Sequence, residues 1–470
     1  MPPLKRPNSN ENIILPPRRA ILAGKADVLV VGGGPAGLGA ALGAAGAGAK
    51  VILAERYGFL GGNATAALVT MFTTWYTRSR RKVRPGTVTL FPTDHGPGKP
   101  VIEGVLKTFV ERLVREGGAL APALETGHTV PFDPEVFKIT ALDLLDEAGV
   151  HYIFHAFASG ITVNGKTKGI IFETKSGPIV IESKNIVDCT GDGDIAAAAG
   201  APFCVGRDED GLTQPMTLYF RIGEFERKGF DNYVSANPKE WDGVYGLWEM
   251  VRKAASRGEL KLPREDILMF ATPHPREISV NSTRVIKVLG TDVWDLTYAE
   301  RTARLQMRQI AAFLKKYVPG FEQSYPIQSG ISVGCRESRR ITGEYTLTGK
   351  DILTARKFDD AIARGTYPLD IHNPRGKGTT LKRIPPNESY DIPLRCLIPR
   401  QIENIIVAGR CISGTHGALG SYRVMPICMA TGQAAGVCAA LASRKKKAPR
   451  KINFRDVQNE LIRQGACITG

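Results

Sequence analysis

The sequence predicts an α/β protein in which a discontinuous nucleotide-binding domain with a parallel sheet carries an inserted α+β domain. Three observations lead there. Residues 27–55 run through a short apolar strand, a glycine-rich turn, an Ala/Gly-rich helix and a second apolar strand. Two later segments, 185–192 and 403–410, repeat the pattern of buried strand followed by glycine. Between them, from about Pro202 to Asp391, the pattern changes, and afterwards the chain rejoins the first domain.

The first segment fixes a Rossmann-like βαβ unit. Val28 to Val31 enter Gly32-x-Gly34-x-x-Gly37, a helix follows to about Gly48, and Val51 to Ala54 stop at Glu55. Gly32 permits the tight turn. Gly34, with Pro35 and Ala36, lets backbone N–H groups approach a pyrophosphate at the positive end of the helix. Gly37 lets helix and strand pack closely, and Glu55 can accept hydrogen bonds from an adenosine ribose.

The continuation separates NAD from FAD. After Glu55 and Arg56 comes a second glycine-rich turn, Gly61-Gly62-Asn63-Ala64-Thr65, where an NAD domain would proceed to further βα units. A longer dinucleotide needs backbone near its pyrophosphate and again near its ring. The strand returns ending in Thr190-Gly191-Asp192 and in Gly409-Arg410 converge most simply on one extended ligand, FAD. A glycine-rich loop, 417–424, leads through Met425 and Pro426 into a helix over 427–441, with Pro426 in its first turn. Gly432, Ala434, Ala435 and Gly436 permit close packing on the nucleotide domain. The start of that helix would face the N1–C2=O edge of a reduced flavin with free N–H groups.

These motifs carry a resemblance. The run 26–37, the Gly61-Gly-Asn-Ala-Thr65 turn, Asp188-Cys-Thr-Gly-Asp-Gly-Asp194, Gly334-Cys-Arg-Glu-Ser-Arg-Arg340 and Ala408-Gly-Arg-Cys-Ile-Ser413 resemble the FAD-dependent oxidoreductases related to glutathione reductase, and more narrowly a "xanthan lyase-like" subgroup. The resemblance covers about residues 26–443 and implies FAD and redox chemistry. In the broader class the last strand ends in Gly-Asp, whose acid holds the ribityl chain. Arg410 stands in that place here.

Composition bounds the remainder. A chain of 470 residues, 43% hydrophobic, can bury large cores. No apolar run in the sequence approaches the roughly 18 residues of a membrane helix, so no membrane partner is expected. Eight cysteines without a Cys-x-x-Cys, and seven histidines without close pairing, give no metal signal and fit a reducing cytoplasm. The net charge of +16 gathers in a loop at 78–84 and a tail at 444–455, read as solvated charge, so no nucleic-acid partner is expected. The expected organisation begins with an N-terminal arm at 1–24. The FAD-binding domain then occupies 25–201, with a loop at 77–100, and resumes at 392–443 after a substrate domain at 202–391. A basic tail closes the chain at 444–470. Thr297-Tyr-Ala-Glu300 reads as a capping box opening a helix to Tyr317.

Chemistry is expected in two places. In Cys335-Arg336-Glu337-Ser338-Arg339-Arg340, alternation would send Arg336, Ser338 and Arg340 to one face and Glu337 with Arg339 to the other. Either one face clamps a carboxylate or polyol, or the cluster is an internal salt-bridge network. His416, before the flavin-facing helix, is the candidate base, and Arg423 holds flavin O2 or a substrate anion. The expected function is hydride transfer between a small polar substrate, hydroxylated or carboxylated, and flavin N5, with an unidentified electron acceptor and scope for a homo-oligomer. The alternatives are an RNA-binding flavoprotein of the tRNA-modifying type and an electron-relay subunit.

Overall fold

A computed structural model describes residues 13–78, 89–92, 96, 98–164 and 166–468. Residues 1–12 of the expected arm and the basic residues Arg80, Arg81, Lys82 and Arg84 of the expected loop lie outside the described residues.

β1 (Ile21–Val31), α1 (Pro35–Gly46) and β2 (Val51–Ala54) form the expected unit. β1 starts earlier than its apolar core suggests. Residues 21–24, read as arm, extend the strand because the first half of Gly177–Asp188 needs a backbone partner: Ile21 pairs with Ile179 and Leu22 with Val180, although both apolar side chains are exposed. The seven-stranded sheet runs His151–Ile153, β2, β1, Gly177–Asp188, Lys166–Thr174, Phe157–Asn164, with Ile405–Val407 pairing with the end of Gly177–Asp188. Pairing is parallel from His151–Ile153 through Gly177–Asp188 and at Ile405–Val407, and antiparallel at the outer two strands. One register decides the function: Val31 stands opposite both Ala54 and Asp188, and Val407 also stands opposite Asp188. Four strands therefore end at one level, and each hands its chain to a loop on the same sheet edge.

The helix Met425–Lys445 packs on α1 through glycines. A Cβ at Gly432 would lie 2.0 Å from Ala36 O, one at Gly436 2.0 Å from Ala40 O, and one at Gly39 2.2 Å from Met429 O. The two backbones touch directly, which no larger residue allows. Contrary to the expectation that no apolar stretch approaches membrane-spanning length, this helix is long and apolar enough to cross a membrane, its Thr and Gln residues interrupting any continuous apolar run. Of its apolar window, 94% is buried inside the fold. Helix Pro134–Glu147, capped by the Asp133 carboxylate, buries Phe137, Thr140, Ala141, Leu144 and Leu145 and leaves Ile139 exposed, because the buried face turns toward Phe137 and its aromatic neighbours Phe72, Phe109 and Phe132.

The inserted region builds a six-stranded sheet from strands between Phe220 and Ser329 over its own core, which includes Phe230, Trp241, Met269 and Phe313. Its long helix spans Val293–Tyr317 and ends where expected, but starts one turn before the expected capping box. Asp292 is the cap, accepting from Trp294 and Asp295 N–H, while Thr297 bonds back to Val293 O within the helix. Ile341, Leu347, Ile352, Ile362 and Tyr390, all placed in the substrate domain from sequence, pack into the larger core. The basic tail is docked: Arg450 donates to Pro399 O (2.7 Å) and Ile402 O (2.8 Å), and helix Phe454–Arg463 buries Val457 and Leu461.

Candidate functional site

The flush strand ends open onto a cleft of about 330 Å³. From the first turn, Gly32, Gly34, Pro35 and Ala36 line it; from the end of β2, Glu55 and Arg56; from the second turn, Gly62 and Asn63. Thr190, Gly191 and Asp192 reach it from the middle return, and Gly409, Arg410, Arg423 and Met425 from the last. Gly37, Gly61, Ala64 and Thr65 do not line it and act behind the wall. A Cβ at Gly37 would lie 1.8 Å from Gly32 O, so this glycine sets the turn. Gly61, at φ 114, donates to Gly33 O (2.8 Å), and Thr65 donates to Leu60 O (2.7 Å).

Carboxylates hold the turns. Glu55 accepts from Gly33 N–H (2.6 Å) and Tyr57 N–H (2.9 Å), and burial raises its carboxyl above the usual range. Fully buried Asp188, pushed up to about 6 by burial, takes Thr190 N–H and Oγ1 together with the N–H groups of Ile195 and Ala196. That locks the Thr-Gly-Asp turn at the cleft floor. Asp192 accepts from Ser338 Oγ (2.6 Å) and Arg410 Nη2 (3.1 Å). A Cβ at Gly191, φ +81, would lie 2.5 Å from Arg410 Nη2, so the arginine lies over a glycine and nothing larger.

Two features test whether a dinucleotide fits. Arg410 Nη1 is buried without a hydrogen-bond partner. Such a group costs about 1–3 kcal/mol unless a ligand accepts from it. Helix Met425–Lys445 begins at Val424 with no side-chain cap, so its first N–H groups are open toward the cleft wall formed by Met425 and Cys428. A phosphate or ribityl hydroxyl at Arg410 and an anionic ring edge at the helix start satisfy both. The residues fit FAD.

The candidate catalytic residues divide. Arg423 lines the cleft and donates to Asp370 (3.2 Å). Arg336 does not line it; its Nη1 donates to Pro215 O (2.7 Å) and Thr217 Oγ1. Arg339 does not line it either; it pairs with Asp194 (2.7 Å), a wall residue, and lies over the Phe203 ring. His416, expected beside the flavin, is likewise not a lining residue. It opens a short helix, His416–Tyr422, where a glycine-rich loop was expected, and its Nδ1 lies 2.8 Å from the fully buried Glu337. Arg340 pairs with that same carboxylate, so the expected alternation fails: Glu337 and Arg340 turn toward each other, and regular strand begins only at Arg339. Glu337, Arg340 and His416 form an internal ion network.

Cys335 lines the cleft, but burial pushes its thiol up to about 11, so it is not a thiolate at neutral pH. Sequence reasoning misses Tyr57, whose hydroxyl joins Ser332 Oγ (3.1 Å), and Glu300, which takes Val333 N–H (2.8 Å). Tyr57 adjoins Arg56, a signal that could have found it. Glu300 reads from sequence as a helix-cap residue, which hides its place at the cleft.

Among solved structures, the chain is similar to a geranylgeranyl bacteriochlorophyll reductase-like protein from Thermoplasma acidophilum (13% identity, TM-score 0.44, 94% of this chain and 84% of that one). It is also similar to p-nitrophenol 4-monooxygenase from Pseudomonas putida DLL-E4 (10%, 0.45, 93% and 84%) and to the flavin-dependent brominase Bmp2 (11%, 0.44, 94% and 84%). No curated protein gives a significant match to the chain. The model of one family, described as FAD dependent oxidoreductase, matches residues 27–461, and the chain belongs to that family.

Proposed function

We propose that this FAD-dependent oxidoreductase moves a hydride between a small polar substrate, hydroxylated or carboxylated, and flavin N5. When bound, FAD supplies the two-electron centre. In this reading Glu55 faces the adenosine ribose, the amides of the Gly32–Gly34 turn face the pyrophosphate, and Gly62 and Asn63 flank it. Arg410 and Asp192 hold the ribityl region, and the start of helix Met425–Lys445 faces the pyrimidine edge. Arg423 presents a cation to substrate at the same end of the cleft. His416 is not given the proton, because Glu337 already holds its imidazole.

The observation that supports this reading is the shared register of Val31, Asp188 and Val407, which brings glycine turns from distant stretches of the chain to one edge. The Cys335-Arg-Glu-Ser-Arg-Arg340 and Ala408-Gly-Arg-Cys-Ile-Ser413 motifs support membership of the xanthan lyase-like subgroup. Scattered and mostly buried cysteines support a reducing cytoplasm.

The test is anaerobic mixing of holoenzyme with sugars, hydroxy acids and amines. The expected result is bleaching of the flavin band at about 450 nm by one donor class. Rapid reduction by NADPH with no response to any donor would reverse the direction of transfer.

A further inference from the structure

Resting on the oxidoreductase reading above, we propose that Arg336, Arg423 and the Tyr219 hydroxyl form a subsite for the carboxylate of a small organic acid, making the substrate a small carboxylate. Three buried or half-buried guanidiniums lie in the field of Asp370. Arg423 donates to Asp370 Oδ2 (3.2 Å), which also accepts from Tyr367 Oη (3.0 Å) and lies 3.3 Å from His372 Nε2. Arg284 donates to His372 Nδ1 (3.0 Å) and to the carbonyls of Gly376 and Gly378. A guanidinium cannot accept a hydrogen bond, so Nδ1 is the acceptor and Nε2 carries the proton toward Asp370. His372 is therefore neutral, and burial holds it down to about 3.

Charge does not balance within the protein. Among the described residues, Asp370 is the one acid within salt-bridge distance of Arg284, Arg336 or Arg423. Two positive charges remain without a counter-ion, a costly arrangement away from water. Burial and the Arg423 charge bring Arg336 down to about 10, which reports the same excess.

Donors are also left over, and they belong to neighbouring groups. Arg336 spends Nη1 on Pro215 O and Thr217, while its Nε and Nη2 bond no described residue. Arg423 Nε is buried without a partner. Tyr219 Oη makes no hydrogen bond to a described residue and lies in the field of both guanidiniums. Planar guanidinium edges and a phenol O–H match the two oxygens of a carboxylate. Because Arg423 also lines the cleft, an acid held here places the carbon next to its carboxylate at the cleft end served by helix Met425–Lys445.

The test titrates oxidised holoenzyme with malonate, benzoate and inorganic phosphate, with malonamide and benzamide as neutral controls, reading the flavin difference spectrum and the melting temperature. The expected result is saturable binding of malonate or benzoate with neither amide binding, at least tenfold weaker in Arg336→Gln and several-fold weaker in the near-isosteric Tyr219→Phe, with FAD content unchanged. Equal response to acid and amide, phosphate binding as tightly as either carboxylate, or unchanged affinity in Tyr219→Phe would overturn the subsite. Carboxylate binding without reduction by any donor would sink hydride transfer and spare the subsite. Reduction by neutral sugars at an unchanged rate in both variants would do the reverse.

Discussion

Arg410 Nη2 donates to Asp192 Oδ1 across 3.1 Å, joining turns 218 residues apart in sequence. The last strand brings a cation where flavoproteins of the broader class bring an acid, and the acid arrives instead from the middle return. The pair leaves Arg410 Nη1 buried without a hydrogen-bond partner in the cleft wall.

Arg410→Ala should remove a charge-assisted hydrogen bond to cofactor and release Asp192 as an unpaired carboxylate beside it. Hydrogen bonds to charged groups contribute about 1.5–3 kcal/mol, so FAD affinity should fall roughly 10- to 100-fold. Equilibrium dialysis or calorimetric titration of apo-protein measures it.

Gly432→Ala would set a methyl 2.0 Å from Ala36 O, where only backbone can yield. Overpacking of this kind costs about 1–3 kcal/mol. Because α1 carries the first glycine turn, FAD retention should fall together with the urea midpoint. Gly160→Ala, whose Cβ would meet Ile171 at an ordinary 3.5 Å, serves as the control.

Alkylation of Cys335 should depend on pH in a defined direction. Thiolate is the reactive form, and burial raises this thiol to about 11, so its labelling by iodoacetamide should be slow at pH 8 and rise as pH approaches that value. The exposed Cys204 should label first, as read by peptide mapping.

Glu337→Gln should strand the Arg340 guanidinium, which is 3% exposed and also bound to Gly414 O and Gly206 O. Removing one partner of a buried pair costs about 3–5 kcal/mol. His416→Gln, by contrast, should leave the rate of flavin reduction within a few-fold of wild type in stopped-flow measurements. A loss of several hundred-fold would restore the imidazole as the base.

The nucleotide-binding half was legible because its signals are local. Gly32 and Gly37 are required by backbone geometry, Gly34 leaves space beside Gly62, and the spacing of the three announces the turn without tertiary information. The convergence of Asp188 and Val407 could be inferred because each apolar strand stops at a glycine. The catalytic end was less legible because its contacts are made across the fold. Nothing near His416 announces that Glu337 lies 2.8 Å away, and nothing near Arg423 points to Asp370 or Tyr219. Alternation failed at Arg336–Arg340 for the same reason. The segment is irregular up to Ser338, and two buried charges found each other instead of opposite faces.

The central claim, that four strand ends hold one FAD, is tested most directly by titrating apo-protein with FAD and comparing wild type with Gly34→Val. The wild type should bind one FAD per chain, and the variant, with a side chain pushed into the gap beside Gly62, should lose binding while keeping its fold by circular dichroism. A wild-type protein that takes up no FAD, or a variant that binds it equally well, would contradict the account.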